Sequence, residues 1–282
     1  MPGTLVLVAT PIGNLEDITL RALRVLKEAA LIAAEDTRRT AKLLNHFGIT
    51  TPTLSLHGHN EPQRIARILD RVTRGDTVAL VSDAGTPVIS DPGLLLVRAA
   101  IQAGLPVEVL PGASALIVAA AGSGIVATTT SFIGFPPSRA GERRRWLEGL
   151  VPLPGALVLF EAPHRLAATL RSMLDVLGDR EVVVAHELTK VHESWHRGTL
   201  SQVASDPSLP TKGEFTIVVG PAVAVDRIAE PPGIADIEHQ FGHLTNERGL
   251  SRKQAITELA QRHHLPKRQI YALVEQAKIS VK

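Results

Sequence analysis

Short runs of apolar and β-branched residues alternate along the chain with longer stretches in which apolar side chains recur every three or four positions. The first pattern predicts buried strands, the second amphipathic helices. In the first 110 residues the strands fall at 5–9, 31–34, 53–56, 77–82 and 107–110. Helices fall between them at 18–29, 38–47, 61–72 and 94–103. That order predicts an α/β unit around a mostly parallel sheet. The strands are continuous apolar runs, as expected when helices cover both faces.

Gly134-Phe135-Pro136-Pro137-Ser138 then reads as a turn, followed by a basic, polar stretch at 139–145. The alternation resumes with a strand at 156–160, a helix at 163–177 and a strand at 181–186. Strands at 194–200 and 214–220 follow, separated by a polar loop. This is a second α/β unit. Residues 221–233 hold three prolines and read as a linker. Beyond them the pattern is helical. Ser251-Arg252-Lys253-Gln254 has the form of a capping box, and His263-His264-Leu265-Pro266 breaks the helix it starts. Ile270, Leu273, Val274 and Ala277 line one face of the next. Two short helices joined by a tight turn are helix-turn-helix-like. The expected architecture is α/β domains at 1–120 and 121–222, then a linker and small basic helical domain at 223–282.

Composition narrows the chemistry. The 282 residues include no cysteine, which excludes disulfides, thiolate zinc sites, iron–sulfur ligation and a cysteine nucleophile. The longest apolar run, 115–121, falls far short of the ~20 residues of a membrane helix. No signal segment stands at the start, so a soluble, cytoplasmic protein is expected. The net charge of +2 conceals an asymmetry: residues 248–282 hold eight basic and two acidic side chains. A basic tail on a mildly acidic body suits a polyanionic partner, or a solvated helix face.

The stretch with most chemical character is 81–93, Val-Ser-Asp-Ala-Gly-Thr-Pro-Val-Ile-Ser-Asp-Pro-Gly, between a buried strand and a helix. In α/β folds, ligands bind at that edge of the sheet. Gly85 permits unusual backbone angles, and Asp83 and Asp91 can accept hydrogen bonds from a ligand hydroxyl or amine. The alternative is a rigid turn in which Ser90 or Asp91 caps the next helix. Loops of similar character follow the strands at 9–14, 34–39 and 110–116. None is a dinucleotide or P-loop fingerprint. His192-Glu193-Ser194-Trp195-His196 spells the zinc-protease pattern, but in a stretch of strand character. Four positions along a strand span ~13 Å, too far for one metal, so no metal site is expected. Lys190 is a candidate phosphate contact or an ion pair with Glu193. Arg139, Arg143, Arg144 and Arg145 beside Trp146 suggest a phosphate-tracking surface, or a solvated helix face balanced by Glu142 and Glu148.

Taken together, 10–19, 33–39, 81–93, 110–116, 160–165 and 187–190 resemble the 16S ribosomal RNA cytidine-2′-O-methyltransferases of the tetrapyrrole-methylase superfamily. The resemblance covers roughly 4–220. It implies S-adenosylmethionine in a cleft between two α/β domains, S-adenosylhomocysteine as product, and a homodimer. It also implies a small-subunit rRNA substrate in an assembled 30S particle. By position it implies cofactor contacts at Pro11, Asp83, Ala84, Gly85, Thr86, Ile89, Ser114, Ala115, Glu161 and Leu188. The chain departs from the family in three places: Gly58 stands where a carboxylate is usual, Phe160 where a tyrosine is common, and the stretch 122–132 fits poorly.

A ribose hydroxyl is a weak acid, so its methylation benefits from a nearby base. The candidates are Asp36, Glu35 and His57, with Arg38 and Asn60 to orient ribose or phosphate. Glu35 or Asp36 is alternatively a helix cap, and His57 an ordinary loop histidine. Rival functions are methylation of a precorrin-like macrocycle and a non-enzymatic nucleic-acid-binding regulator.

Overall fold

The computed structural model describes residues 2–58, 60–126, 129–222, 234–262 and 267–280. His59, the break at 263–266 and the linker from 223 to 233 lie outside the described residues. The chain forms two compact units, Met1–Ala222 and Val223–Lys282.

The first unit begins with β1 (Leu5–Val8), α1 (Leu20–Glu28), β2 (Leu31–Ala34), α2 (Thr37–His46) and β3 (Thr53–Ser55). It continues with α3 (Glu61–Thr73), β4 (Val78–Val81), α4 (Leu94–Gln102) and β5 (Val107–Leu110). The strands lie in the order β3-β2-β4-β1-β5, every pair parallel. Leu26 and Leu44 pack on one face with Val6, Val8 and Ile32, while Ile68, Val72 and Leu96 pack on the other with Leu5, Leu7 and Leu80. This two-sided cover is why β1, β2 and β4 are apolar throughout. The connections leaving adjacent β1 and β4 run in opposite directions, to β2 and β5. A crevice opens at such a switch point, outside the carboxyl ends of the strands.

The chain then crosses to a second sheet through α5 (Ala115–Ser123), followed by β6 (Thr130–Gly134), α6 (Ala140–Glu148) and β7 (Ala156–Glu161). Next come α7 (Leu166–Leu177), β8 (Glu181–His186), β9 (Ser194–Thr199), α8 (Leu200–Ala204) and β10 (Phe215–Val219). The order is β6-β7-β10-β8-β9, parallel between β6 and β7 and antiparallel elsewhere. Leu147, Leu170, Met173 and Leu200 cover one face. Helix α5 covers the other, where Ala119 meets Val158, Ala185 and Val218. Ile12, from the loop after β1, and Leu188 belong to the same buried cluster, which ties the two sheets together.

Several expectations are corrected. The turn expected at 134–138 begins inside a strand, because β6 pairs with β7 through Gly134 across a register shift. The polar loop expected after 200 starts with α8, held by a capping box between Thr199 and Gln202. The basic stretch is largely helix α6, and Arg143 points inward at 6% exposure, donating to Ser172 Oγ and the carbonyls of Pro137 and Ser138. Arg139 and Arg144 pair with Glu142 and Glu148. His192 precedes β9, while His196 lies within it, 3.0 Å from Asp206. Trp195 abuts Gly122, and Arg197 donates to the Ser123 and Gly122 carbonyls at the end of α5. The segment is a structural brace.

The second unit contains α9 (Ile234–Gly242), a wider turn at His243–Glu247, α10 (Arg252–Arg262) and α11 (Lys267–Ser280). Ile237, Leu244, Ala255, Leu259, Ile270 and Val274 form its core. At the expected capping box, Gln254 Oε1 accepts from both the amide and the hydroxyl of Ser251. Among the described residues no helix is long and apolar enough to cross a membrane.

Candidate active site

At the switch point, Thr10 and Gly85 exchange two main-chain hydrogen bonds of 2.9 Å, joining the loops after β1 and β4. A cavity of about 330 Å³ opens beside them. Its polar side holds Glu35, Arg39, Asp83 and Asp91; its apolar side includes Ile12, Ile89, Phe135, Phe160 and Leu188. Four non-glycine residues among those described have positive φ: Val88, Ser90, Glu187 and Thr189. All four lie in the two loops bordering this cavity, where such strain commonly serves function.

The acids are laced together across the strand ends. Asp83 N–H donates to Glu35 Oε2 at 3.2 Å, and Asp36 N–H donates to Asp83 Oδ1 at 3.1 Å. Arg39 reaches Asp83 Oδ2 at 3.2 Å. Burial raises the Glu35 carboxyl, with the Asp83 amide opposing the rise. Burial also pushes Asp91 up to about 6, against a Ser82 hydrogen bond; the charges on Glu35 and Asp83 add to the increase. Neither Ser90 nor Asp91 caps α4: Gly93 occupies the cap position, and Glu61 of α3 accepts from Leu96 N–H at 3.0 Å. A carboxylate supplied from elsewhere thus leaves Asp91 to the cavity.

Asp36 has the opposite setting. Its Oδ1 caps α2 through Arg38 N–H, and the Arg38 guanidinium grips both oxygens at 3.1 and 2.8 Å. Those bonds from Arg38 hold its carboxyl down at about 2. His57 and Asn60 follow β3 and form a local turn: Asn60 Oδ1 accepts from His57 N–H, and Nδ2 donates to Ser55 O.

The structure therefore gathers Glu35, Asp83, Ala84, Gly85, Thr86, Ile89, Ser114, Ala115, Glu161 and Leu188 around one cavity. Pro11 adjoins the lining residue Ile12, while Asp36, Arg38, His57 and Asn60 stand outside the lining. The Glu161 side chain is wholly buried, accepting from Arg165 Nε at 2.7 Å and Thr169 Oγ1 at 2.5 Å. Only its main chain is available to the cavity. Sequence reasoning missed Arg39, Phe135 and Thr216. The Gly-Phe-Pro-Pro run gave Phe135 the look of a turn residue.

The second sheet closes one side with a clasp. Asn14 N–H donates to Thr189 Oγ1 at 3.0 Å. A Cβ on Gly13 would lie 2.5 Å from Lys190 Cγ and 2.7 Å from the Leu188 carbonyl oxygen, so the loops can meet only at glycine. Lys190 pairs with Glu187 at 2.9 Å and Glu214 at 3.0 Å. The expected partner, Glu193, instead accepts from Thr189 N–H and Trp195 Nε1. Its carboxylate is drawn to these donors by the turn that precedes β9.

Two α/β sheets meeting at a cavity on the switch edge of the first define a class of solved folds. Uroporphyrin III C-methyl transferase from Thermus thermophilus shares the fold at a TM-score of 0.56 and 20% identity, over 77% of this chain and 97% of that one. The sequence pattern of the tetrapyrrole (corrin/porphyrin) methylases matches residues 4–204, and the chain belongs to that family. It is 45% identical to the ribosomal RNA small subunit methyltransferase I of Halalkalibacterium halodurans, over 97% of this chain and 95% of that protein. The protein of the same name from Synechocystis is 46% identical over 96% and 97%.

Proposed function

We propose that this chain transfers a methyl group from S-adenosylmethionine to the 2′-hydroxyl of a cytidine in the decoding centre of 16S rRNA. The observation that carries this reading is the two-sided cavity, in a chain similar over nearly its whole length to rRNA methyltransferases. The residues suit the cofactor. Asp83 and Asp91 offer negative charge to a sulfonium and an amino group, and Ile89, Leu188 and Phe160 offer an apolar wall to adenine. Gly85, at φ 77°, lets main chain approach closely, while Pro11 stiffens the facing loop. Ser114 and Ala115 open α5 beside them, and the Glu161 main chain lies opposite. When bound, the cofactor supplies an activated methyl group, so positioning provides much of the rate.

Glu35 is the proton acceptor in this account. It lines the cavity, and its raised pKa brings it nearer the working range of a general base. Asp36, near 2 and gripped by Arg38, is a poor base and serves as helix cap. Arg38, His57 and Asn60 follow β2 and β3 at the same sheet edge, outside the lining, and in this reading they meet ribose or phosphate. The assembled 30S particle as substrate, a homodimer, a cytoplasmic setting and RNA contact through the basic C-terminal unit belong to the same reading.

The test is transfer of labelled methyl from S-adenosylmethionine to small subunits lacking the modification. Label on 16S rRNA supports the reading. The family pattern itself favours one rival, a tetrapyrrole substrate. Label on a uroporphyrin-type macrocycle and none on RNA would establish that rival.

A further inference from the structure

A second cavity lies between α10 and α11, lined by Arg252, Lys253, Ile256, Thr257, Lys267, Arg268 and Tyr271. The described lining thus carries four cations and no carboxylate. Its floor is apolar: Ile256 is 8% exposed, and Tyr271, at 49%, presents half its surface. The Arg252 guanidinium stands 5.1 Å from the Tyr271 ring centroid and also pairs with Glu275. Lys267 and Arg268 occupy the first turn of α11, where cations oppose the helix dipole. An anion held there relieves that opposition.

We infer that this groove holds an unpaired ribonucleotide stretch of the RNA substrate, a reading that rests on the function proposed above. A cationic rim above an aromatic and apolar floor suits phosphates on the rim and a base on the floor. Duplex RNA does not suit it. The A-form major groove is deep and narrow and does not admit side chains, so the docking mode of DNA-binding helix pairs is closed to RNA. Single strands expose the base faces that Tyr271 and the Arg252 plane can stack upon.

The experiment uses the full chain and a single-stranded oligoribonucleotide, with a hairpin duplex of equal length for comparison, titrated across salt. The groove predicts tighter binding of the single strand. Lys267→Ala with Arg268→Ala removes two phosphate contacts and flattens the slope of log affinity against log salt by about 1.4. Tyr271→Ala weakens binding about tenfold without changing that slope, and Tyr271→Phe retains most of the affinity. Cofactor affinity stays unchanged throughout, because that cavity belongs to the first unit, and an unchanged far-ultraviolet helical signal of the full chain shows that the second unit keeps its fold. A 4-thiouridine crosslink to the unaltered protein is expected on the peptide that contains Tyr271, and a crosslink confined to peptides of the first unit counts against the groove. Unchanged slope and affinity in both variants, or preference for the duplex, overturns the inference. If rRNA receives no methyl from the unaltered protein, the functional reading fails; if it does and these variants bind normally, the groove alone fails.

Discussion

The two sheets of the first unit divide the work according to strand direction. All five strands of the first run parallel, so their carboxyl ends, and the loops after them, share one edge. Glu35, Asp83 and Asp91 come from two of those loops and converge on one cavity. The second sheet is mainly antiparallel, and successive strand ends point opposite ways. It contributes an apolar wall at Phe160 and Phe215 and a clasp at 187–190. Parallel topology concentrates polar chemistry; the antiparallel sheet supplies rigid backing and closure.

The most severe way to break this division is to remove the carboxylate proposed as proton acceptor, at the edge of the first sheet. Glu35→Gln is expected to lower kcat by about 10²- to 10⁴-fold, with cofactor affinity retained, in single-turnover transfer assays. Full activity would move the base elsewhere. Next comes the clasp. Gly13→Val forces the loops apart, and overpacking of about 1–3 kcal/mol corresponds to a rise in cofactor Kd of roughly 5- to 150-fold. Calorimetry measures it, and an unchanged Kd would show that the second sheet need not close.

The acid cluster makes a smaller, pH-dependent prediction. Between its ordinary 3.8 and about 6, Asp91 keeps a proton in the folded protein that the unfolded chain has lost. Its contribution to stability therefore falls as pH rises through that window. A cationic ligand favours the ionised form, so cofactor binding near pH 6 releases protons and weakens by up to about tenfold per unit below it. Asp91→Asn should remove that dependence. The smallest effect is expected at Asp36→Asn, where the cap is preserved and kcat changes by less than about threefold.

Legibility followed burial. Strands β1, β2 and β4 could be read because helices on both faces make them continuously apolar. Strand β6, with Thr130 exposed and the rest half-buried, lacks that signature and was read only from its terminal turn. Charge on Arg143 said nothing of the Ser172 hydroxyl and carbonyls that let it be buried. The site divided similarly. Glu35 and Asp36 were legible as a pair, but which one caps depends on backbone geometry at α2. Asp91 was legible as a ligand group or a cap. Only Glu61, arriving from α3, decides that it need not cap.

The most direct measurement of the central claim is where the methyl group ends. A 2′-O-methyl group makes the adjacent phosphodiester resistant to alkali. Small subunits labelled by the protein should yield their label in an alkali-stable dinucleotide containing cytidine. Label in a mononucleotide would place the methyl on a base, and no label on RNA would contradict the account outright.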